Sequence, residues 1–146
     1  NDDELAIFRR RQVGIIYQFY NLIAILNVQE NIEIPLELDG RKADKKEMDE
    51  MLERLGLTHR RTHLPNELSG GQQQRTSIGR ALITRPSLVL ADEPTGNLDT
   101  KSSSEIMNLL KRSNHELDQT IIMITHNMEL AKAADRIIMI EDGKIK

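Results

Sequence analysis

Ser87-Leu88-Val89-Leu90-Ala91-Asp92-Glu93 is a short apolar run that ends in two acidic residues. Apolar residues without polar alternation are typical of a strand buried on both faces, as in a parallel sheet. Residues 13–17 and 120–124 are similar apolar runs, and a helical pattern over 101–117 lies before the last of them. This order of strands and helix predicts an α/β fold with a mostly parallel sheet.

The stretch between the first two predicted strands has a helical pattern. Four of its apolar residues recur at the spacing of one helix face: Met48, Met51, Leu52 and Leu55. Gly56 follows them, as expected at the end of an amphipathic helix. We therefore predict three parts. Residues 1–18 contain the first strand, residues 19–85 form an inserted helical subdomain, and residues 86–146 form the carboxyl-terminal part of an α/β core.

The last twenty residues also have a readable pattern. Asn127 is a residue type that caps helices, so we expect a short helix over 127–134. Residues 137–140 are apolar, and a further strand is predicted over 136–140. Asp142-Gly143 then favours a tight hairpin turn.

The composition excludes several classes of protein. A net charge of −3 gives no electrostatic reason to expect nucleic acid as a partner. The sequence has no cysteine, which excludes a disulfide framework and a cysteine-ligated metal site. The longest apolar run, residues 22–26, is far shorter than the roughly 18 residues that cross a bilayer. Any contact with a membrane is therefore expected to run through a partner.

Leu68-Ser69-Gly70-Gly71-Gln72 precedes a helical pattern and is the most specific motif of the sequence. Glycines at a helix start expose backbone N–H groups, and the partial positive charge there suits a phosphate. The Ser69 hydroxyl adds a donor. The alternative is an ordinary Ser/Gly turn that only caps the helix.

Polar residues follow three of the predicted strands, namely Gln18, the pair Asp92 and Glu93, and His126. Ligands of parallel sheets bind beyond the carboxyl ends of the strands, so these side chains are candidates for one site. Asp92 could hold Mg²⁺, which takes few carboxylates together with phosphate oxygens. Glu93 could act as the base on an attacking water. The alternative for the acid pair is a solvated turn.

The combination of motifs resembles the ATP-binding-cassette (ABC) ATPase family over essentially the whole chain. Five elements match in order. Gln18 matches the Q-loop glutamine, LSGGQ at 68–72 matches the signature motif, and residues 88–93 match the Walker B strand. Gly96-Asn97-Leu98-Asp99 matches the D-loop, and His126 matches the switch histidine. The resemblance implies a P-loop NTPase fold with an inserted helical subdomain, an ATPase activity, and ATP and Mg²⁺ as ligands.

The resemblance also implies a role for each matching residue. Glu93 polarises the attacking water, His126 steadies the γ-phosphate in the transition state, and Gln18 contacts Mg²⁺ or the water. Asp92 helps to place the metal ion. The nucleotide of a second subunit, paired head to tail, is covered by Ser69, Gly70, Gly71, Gln72 and the D-loop acid Asp99.

The phosphate-binding loop of this family, G-x-x-x-x-G-K-[ST], does not occur in the sequence. Gly143-Lys144 is the only Gly-Lys pair, and its surroundings do not fit. The sequence is therefore expected to be the carboxyl-terminal part of a longer subunit. By itself it is expected to bind ATP weakly, to be inactive, and to self-associate through uncovered apolar surface.

Phe19-Tyr20-Asn21-Leu22 and the stretch 91–99 resemble the subfamily of lipoprotein-release, macrolide-export and antimicrobial-peptide-resistance ATPases. Relatives of that kind act at the cytoplasmic face of the cell membrane. A transmembrane permease would then contact residues 18–38. Two alternatives remain open at this point: a soluble ABC ATPase without a transport role, and an interaction module without activity.

Overall fold

The computed structural model describes all residues of the chain, 1–146. Its elements, in chain order, are α1 Asp2–Gln12, β1 Val13–Ile16, α2 Val28–Leu38, α3 Lys45–Leu55, α4 Gly70–Leu82, β2 Leu88–Asp92, α5 Thr100–Glu116, β3 Thr120–Ile124, α6 Met128–Ala131, β4 Ile140–Glu141 and β5 Lys144–Ile145. Short 3₁₀ turns at Thr58–Arg60 and Pro65–Glu67 connect α3 to α4. No helix combines the length and the apolar character that a membrane span needs.

A three-stranded sheet of order β1-β2-β3 is the framework of the molecule, and both strand pairs are parallel. This confirms the predicted α/β fold with a parallel sheet. The register pairs Ile16 with Ala91, and Asp92 with Ile124. All three strands therefore end at the same edge, and the loops that follow them lie side by side.

Helix α4 is the centre of the packing, because it contacts β1, α2, α3 and α5. A Cβ atom at Gly14 would lie 2.4 Å from the backbone oxygen of Ala81, so β1 and α4 approach too closely for any side chain there. On its other side, a Cβ at Gly79 would lie 2.5 Å from Leu55 Cδ1. Two glycines thus allow α4 to pack tightly between the sheet and the helices.

Three helices, α2, α3 and α4, lie between β1 and β2 in the chain. The predicted amphipathic helix is α3, in which Met48, Leu52 and Leu55 are buried. It ends at Gly56, whose φ of 67° is the left-handed conformation that favours glycine. The division of the chain at 18/19 and 85/86 stays a prediction.

One face of the sheet is open, and here the expectation of strands buried on both faces is wrong. Val89 and Ala91 are buried, whereas Ile122 and Ile124 of the neighbouring strand are 51% and 63% exposed. Helices cover one side only, so alternate residues remain on the surface. The apolar composition of the strands could not show which face is covered.

The carboxyl-terminal region departs from the predicted pattern. Asn127 does cap a helix, accepting hydrogen bonds from the amides of Glu129 and Leu130, but α6 ends at Ala131. The strand predicted over 136–140 is wrong. Only Ile140 and Glu141 form a strand, in an antiparallel hairpin with Lys144–Ile145, because no strand of the main sheet lies beside the apolar run. The hairpin turn lies at 142–143, as expected.

Candidate functional site

Glu93 is placed by the loop that leaves β2. Its backbone is left-handed, with φ 44°, and its N–H donates to the carbonyl of Ile124 at 2.9 Å. Its carboxylate accepts hydrogen bonds from the Thr125 hydroxyl at 3.1 Å and from the His126 backbone N–H at 2.8 Å. The same carboxylate lies 2.6 Å from His126 Nδ1. The structure therefore brings together the two residues that the sequence placed at neighbouring strand ends.

The surroundings of Glu93 keep its carboxyl group ionised. Partial burial raises its pKa, but the hydrogen bonds from the His126 ring, the His126 backbone and Thr125 outweigh that effect, and the pKa is lowered. The side chain of Glu93 is 18% exposed, whereas that of His126 is 88% exposed. A shielded carboxylate and an accessible imidazole thus form one unit at the sheet edge.

Gln18 lies against the loop that follows β2. Its Nε2 donates to Asn97 Oδ1 at 3.4 Å, and Asn97 Nδ2 donates to the Gln18 carbonyl at 3.2 Å. A Cβ atom at Gly96 would lie 2.6 Å from Gln18 Nε2, so glycine is needed for this contact. Neither bond uses the side-chain oxygen of Gln18.

Asp92 is the last residue of β2 and is exposed to solvent at the same edge. Its carboxylate makes no ion pair, and the chain has no cluster of three or more carboxylate, histidine or cysteine ligands. A single free carboxylate fits Mg²⁺, which is held by one or two carboxylates together with phosphate oxygens and water. It does not fit a cation that needs an all-protein cage.

Ser69 and Gln72 cap helix α4. The Ser69 hydroxyl accepts from the Gln72 backbone N–H at 3.2 Å, and the Gln72 side chain accepts from the Ser69 N–H at 3.0 Å. This is the capping arrangement that the sequence left open as an alternative. The cap leaves the N–H groups of Gly70 and Gly71 in the first turn without a partner within the helix.

The starts of α4 and α5 are in contact. A Cβ at Gly71 would lie 3.1 Å from Ser102 Oγ, and one at Gly70 would lie 3.1 Å from the Tyr20 hydroxyl. Asp99 caps α5 by accepting the Ser102 N–H at 2.7 Å, and this bond lowers the pKa of its carboxyl. The structure therefore brings the signature glycines next to the helix that Asp99 begins.

Two residues that hold the site together were missed from the sequence. Gln74 is fully buried, and its Nε2 donates to the carbonyls of Tyr17 and Pro94. Arg80 donates to the carbonyls of Tyr20 and Asn21 at 2.7 Å each. A signal for Gln74 was available: it lies four residues before Ile78, so it is a polar residue on the apolar face of α4.

Comparisons with known proteins give relatives of a single family. The family model described as "ABC transporter" matches residues 2–96. An uncharacterized ABC transporter ATP-binding protein of Methanocaldococcus jannaschii, MJ1508, is 48% identical over 99% of this chain and 65% of its own length. The lipoprotein-releasing system ATP-binding protein LolD of Pseudoalteromonas translucida is 45% identical over 97% of this chain and 62% of its own length.

A solved structure is similar over the whole chain. It is the dimeric, post-hydrolysis state of the ATP-binding cassette MJ0796 bound to ADP and Pi, and it is 41% identical with a TM-score of 0.85. The match covers 100% of this chain and 66% of that one. The chain thus spans less than two thirds of the length of these relatives. Sequence, fold and geometry together show that the chain belongs to the ABC transporter family, as part of an ATP-binding cassette.

Proposed function

We propose that this chain carries the hydrolytic half of the nucleotide site in an ATPase subunit that powers transport through a separate membrane protein. The observation that supports the proposal best is the contact of Glu93 with His126. An ionised carboxylate and an accessible imidazole, joined at the ends of two parallel strands, provide a base and a hydrogen-bond donor for phosphoryl transfer to water.

In this proposal Glu93 takes a proton from the attacking water. His126 donates a hydrogen bond to a γ-phosphate oxygen, where negative charge builds up during transfer. Asp92 and the side-chain oxygen of Gln18 would hold Mg²⁺, which would supply positive charge to the phosphates. The contact of Gln18 with Asn97 keeps the two loops together around that position.

A second cassette completes the site. We assign the face that covers the partner's nucleotide to Ser69, Gly70, Gly71 and Gln72, with Asp99 beside them. The unpaired N–H groups at the start of α4 support this, since they can bind phosphate oxygens. The similar solved cassettes are described as dimers, which also supports a pair of ATPase subunits.

We propose that the membrane partner binds the segment that follows Gln18. Phe19 and Ile25 are 73% and 83% exposed, although they are large and apolar. The buried Asn31 fixes the backbone beneath them, donating to the carbonyls of Ile23, Leu26 and Asn27 and accepting from the Ile23 N–H. An ordered loop with outward apolar side chains suits a permease contact within residues 18–38, at the inner face of the cell membrane. These side chains favour the transporter over an ATPase without a membrane partner.

An exchange cassette tests the proposal. It is the Methanocaldococcus jannaschii relative MJ1508 in which the segment that matches this chain is replaced by residues 1–146. The exchange cassette should hydrolyse ATP, and Glu93→Gln should lower its kcat by about 10²–10⁴-fold. The control is Glu50→Gln, which removes an exposed carboxylate paired only with Lys46. Hydrolysis that survives Glu93→Gln would contradict the proposed role.

We further propose that residues 1–146 alone are inactive. They contain no G-x-x-x-x-G-K-[ST] loop, so no backbone cradle and no lysine hold the phosphates.

A further inference from the structure

We propose that Gln74 is a positioning residue for ATP hydrolysis, because it fixes the loops that carry Gln18 and Glu93 to the helix that begins with the signature glycines. The inference deepens the proposed function and rests on it. Gln74 does not touch the strand-end side chains that face the nucleotide, so any effect on turnover passes through the backbone.

The geometry of Gln74 is unusual for a residue inside a helix. Its side chain is fully buried, and its Nε2 lies 3.2 Å from the Tyr17 carbonyl and 2.5 Å from the Pro94 carbonyl. A primary amide has two N–H donors, and here each has its own acceptor. Tyr17 directly precedes Gln18, and Pro94 directly follows Glu93. A single side chain thus fixes the backbone beside both residues.

The loop after β2 needs such an anchor. Glu93 has a left-handed φ of 44°, a conformation that a non-glycine residue keeps only when its surroundings fix it. Pro94 has no N–H and cannot anchor the loop through a donor of its own. The Glu93 N–H ties the turn to β3, and the Pro94 carbonyl ties it to α4 through the donor of Gln74.

The other end of the Gln74 amide indicates what the side chain is for. Its Oε1 is buried without a hydrogen-bond partner, which is unfavourable in a packed interior. An apolar side chain of the same size would avoid that cost. The two donor bonds are therefore the contribution of this residue. Because Gln74 lies one turn after Gly70, a movement of the signature end of α4 is transmitted to both loops.

Amide hydrogen exchange in the 146-residue chain tests the anchoring. Gln74→Met keeps the length and apolar packing of the side chain but removes both donors. We expect the amides of Glu93 and His126 to exchange about tenfold faster or more, as the loss of buried hydrogen bonds implies, with little change in α2. The control is Ser113→Ala, which removes a buried hydrogen bond to the Leu109 carbonyl within the last turns of α5. An equal change at all amides in the Gln74→Met protein would overturn the inference.

Steady-state kinetics in the exchange cassette test the consequence. Gln74→Met should lower kcat about tenfold or more while the KM for ATP stays within about twofold, because the nucleotide does not contact this side chain. Ser113→Ala should change neither. A kcat unaffected by Gln74→Met in a folded protein would overturn the inference.

A second variant covers the case in which Gln74→Met does not fold. In Gln74→Glu the buried carboxyl keeps one O–H donor only when it is protonated. At each pH, amide exchange of the loops in this variant is compared with that in the unsubstituted chain. The loops of the variant should be better protected at pH 5 than at pH 8 in this comparison. Equal relative protection at the two pH values would overturn the inference. If the exchange cassette without any substitution has no ATPase activity, the proposed function is contradicted. The anchoring by Gln74 would still be decided by amide hydrogen exchange in the 146-residue chain.

Discussion

Glu93 Oε1 accepts the backbone N–H of His126 at 2.8 Å and also lies 2.6 Å from the imidazole Nδ1 of the same residue. Because one oxygen contacts both the backbone and the ring, the carboxylate fixes the orientation of His126 and leaves Nε2 on the exposed side. The proposed base and the proposed phosphate-facing histidine are thus a single structural unit. Substitution of one will alter the position of the other.

The stability of the chain should depend on the ionisation of Glu93. Its folded-state pKa is lowered, since hydrogen bonds from His126 and Thr125 outweigh burial. The stabilisation is therefore fully present above the unfolded-state pKa and is lost as the pH falls through the folded-state value. Urea unfolding from pH 7 to pH 3 should show this loss, and Glu93→Gln should lower the free energy of unfolding at pH 7 by about 1–2 kcal/mol. Glu50→Gln is the control, and an identical pH profile in the Glu93→Gln and Glu50→Gln proteins would contradict the prediction.

The contact of β1 with α4 depends on the absence of a side chain at Gly14. A Cβ there would lie 2.4 Å from the Ala81 carbonyl oxygen, which is backbone and cannot rotate away. We expect Gly14→Ala to lower the free energy of unfolding by about 3 kcal/mol or more, measured by urea denaturation. Gly143→Ala is the comparison, because its Cβ would meet nothing within 4 Å and only its φ of 74° is unfavourable. That variant should lose about 1 kcal/mol. If Gly14→Ala and Gly143→Ala lose equal free energy of unfolding, the backbone around residue 14 has moved to accommodate the added Cβ, and the prediction is wrong.

Features of the fold that depend on a few neighbouring residues are predictable from the sequence. The strand ends at Glu93 and His126, the cap at Ser69 and the glycine that ends α3 each depend on a few neighbouring residues, and all are seen in the structure. Gln74 was missed because its acceptors lie 57 and 20 residues away, in loops whose proximity only the fold creates.

The errors have the same origin. The apolar residues 137–140 led to a predicted strand over 136–140. A strand exists only where a neighbour offers hydrogen bonds, and none lies beside most of this run. Helix α1 was not predicted from the polar start of the chain. The helix has no buried face. It is stabilised by the capping box of Asn1 and Glu4 and by the ion pairs of its last turn with Asp39.

Asp39 should control the attachment of α1. Its side chain is 4% exposed and lies within 3.6 Å of Arg10 and 3.0 Å of Arg11, both at the end of α1, and 3.0 Å from Arg41. Burial opposes ionisation, but hydrogen bonds and charges from Arg11 and Arg41 prevail and lower the pKa of Asp39. Asp39→Asn should therefore raise amide exchange in α1 about fivefold or more at pH 7 and low salt.

The pH dependence of that effect follows from the sign of the pKa shift. The contribution of Asp39 is present above its unfolded-state pKa and is lost as the pH falls through the lower folded-state value. Protection of α1 in the unsubstituted chain should then approach that of Asp39→Asn in acid. Asp2→Asn, in the same helix but without an ion pair, is the control. If Asp2→Asn loosens α1 as much as Asp39→Asn, the cluster around Asp39 does not hold the helix.

The chain alone should not bind ATP tightly. Four residues are suited to contact the γ-phosphate: Gly70 and Gly71 through their N–H groups, and Glu93 and His126 through their side chains. One helix start without a phosphate cradle or a lysine nevertheless gives little affinity for ATP. Isothermal titration with Mg²⁺ and ATP should show no saturable binding in the micromolar range, whereas the exchange cassette should bind. Saturable micromolar binding by residues 1–146 would mean that another part of the chain holds the nucleotide.

The open face of the sheet should make the chain associate with itself. Ile15 of β1 is 41% exposed, and Ile122 and Ile124 of β3 are 51% and 63% exposed. These two strands flank β2, so burial of this face against a second copy removes apolar surface from water. Light scattering should show a mass that rises with protein concentration. The double substitution Ile122→Lys and Ile124→Lys places two charges on that face. It should restore a monomer, because desolvation of the two charges would oppose association. Ile25→Lys, which changes an exposed apolar residue in the loop between β1 and α2, outside the sheet, should leave the association unchanged. A monomer at every concentration would show that this surface is tolerated in water.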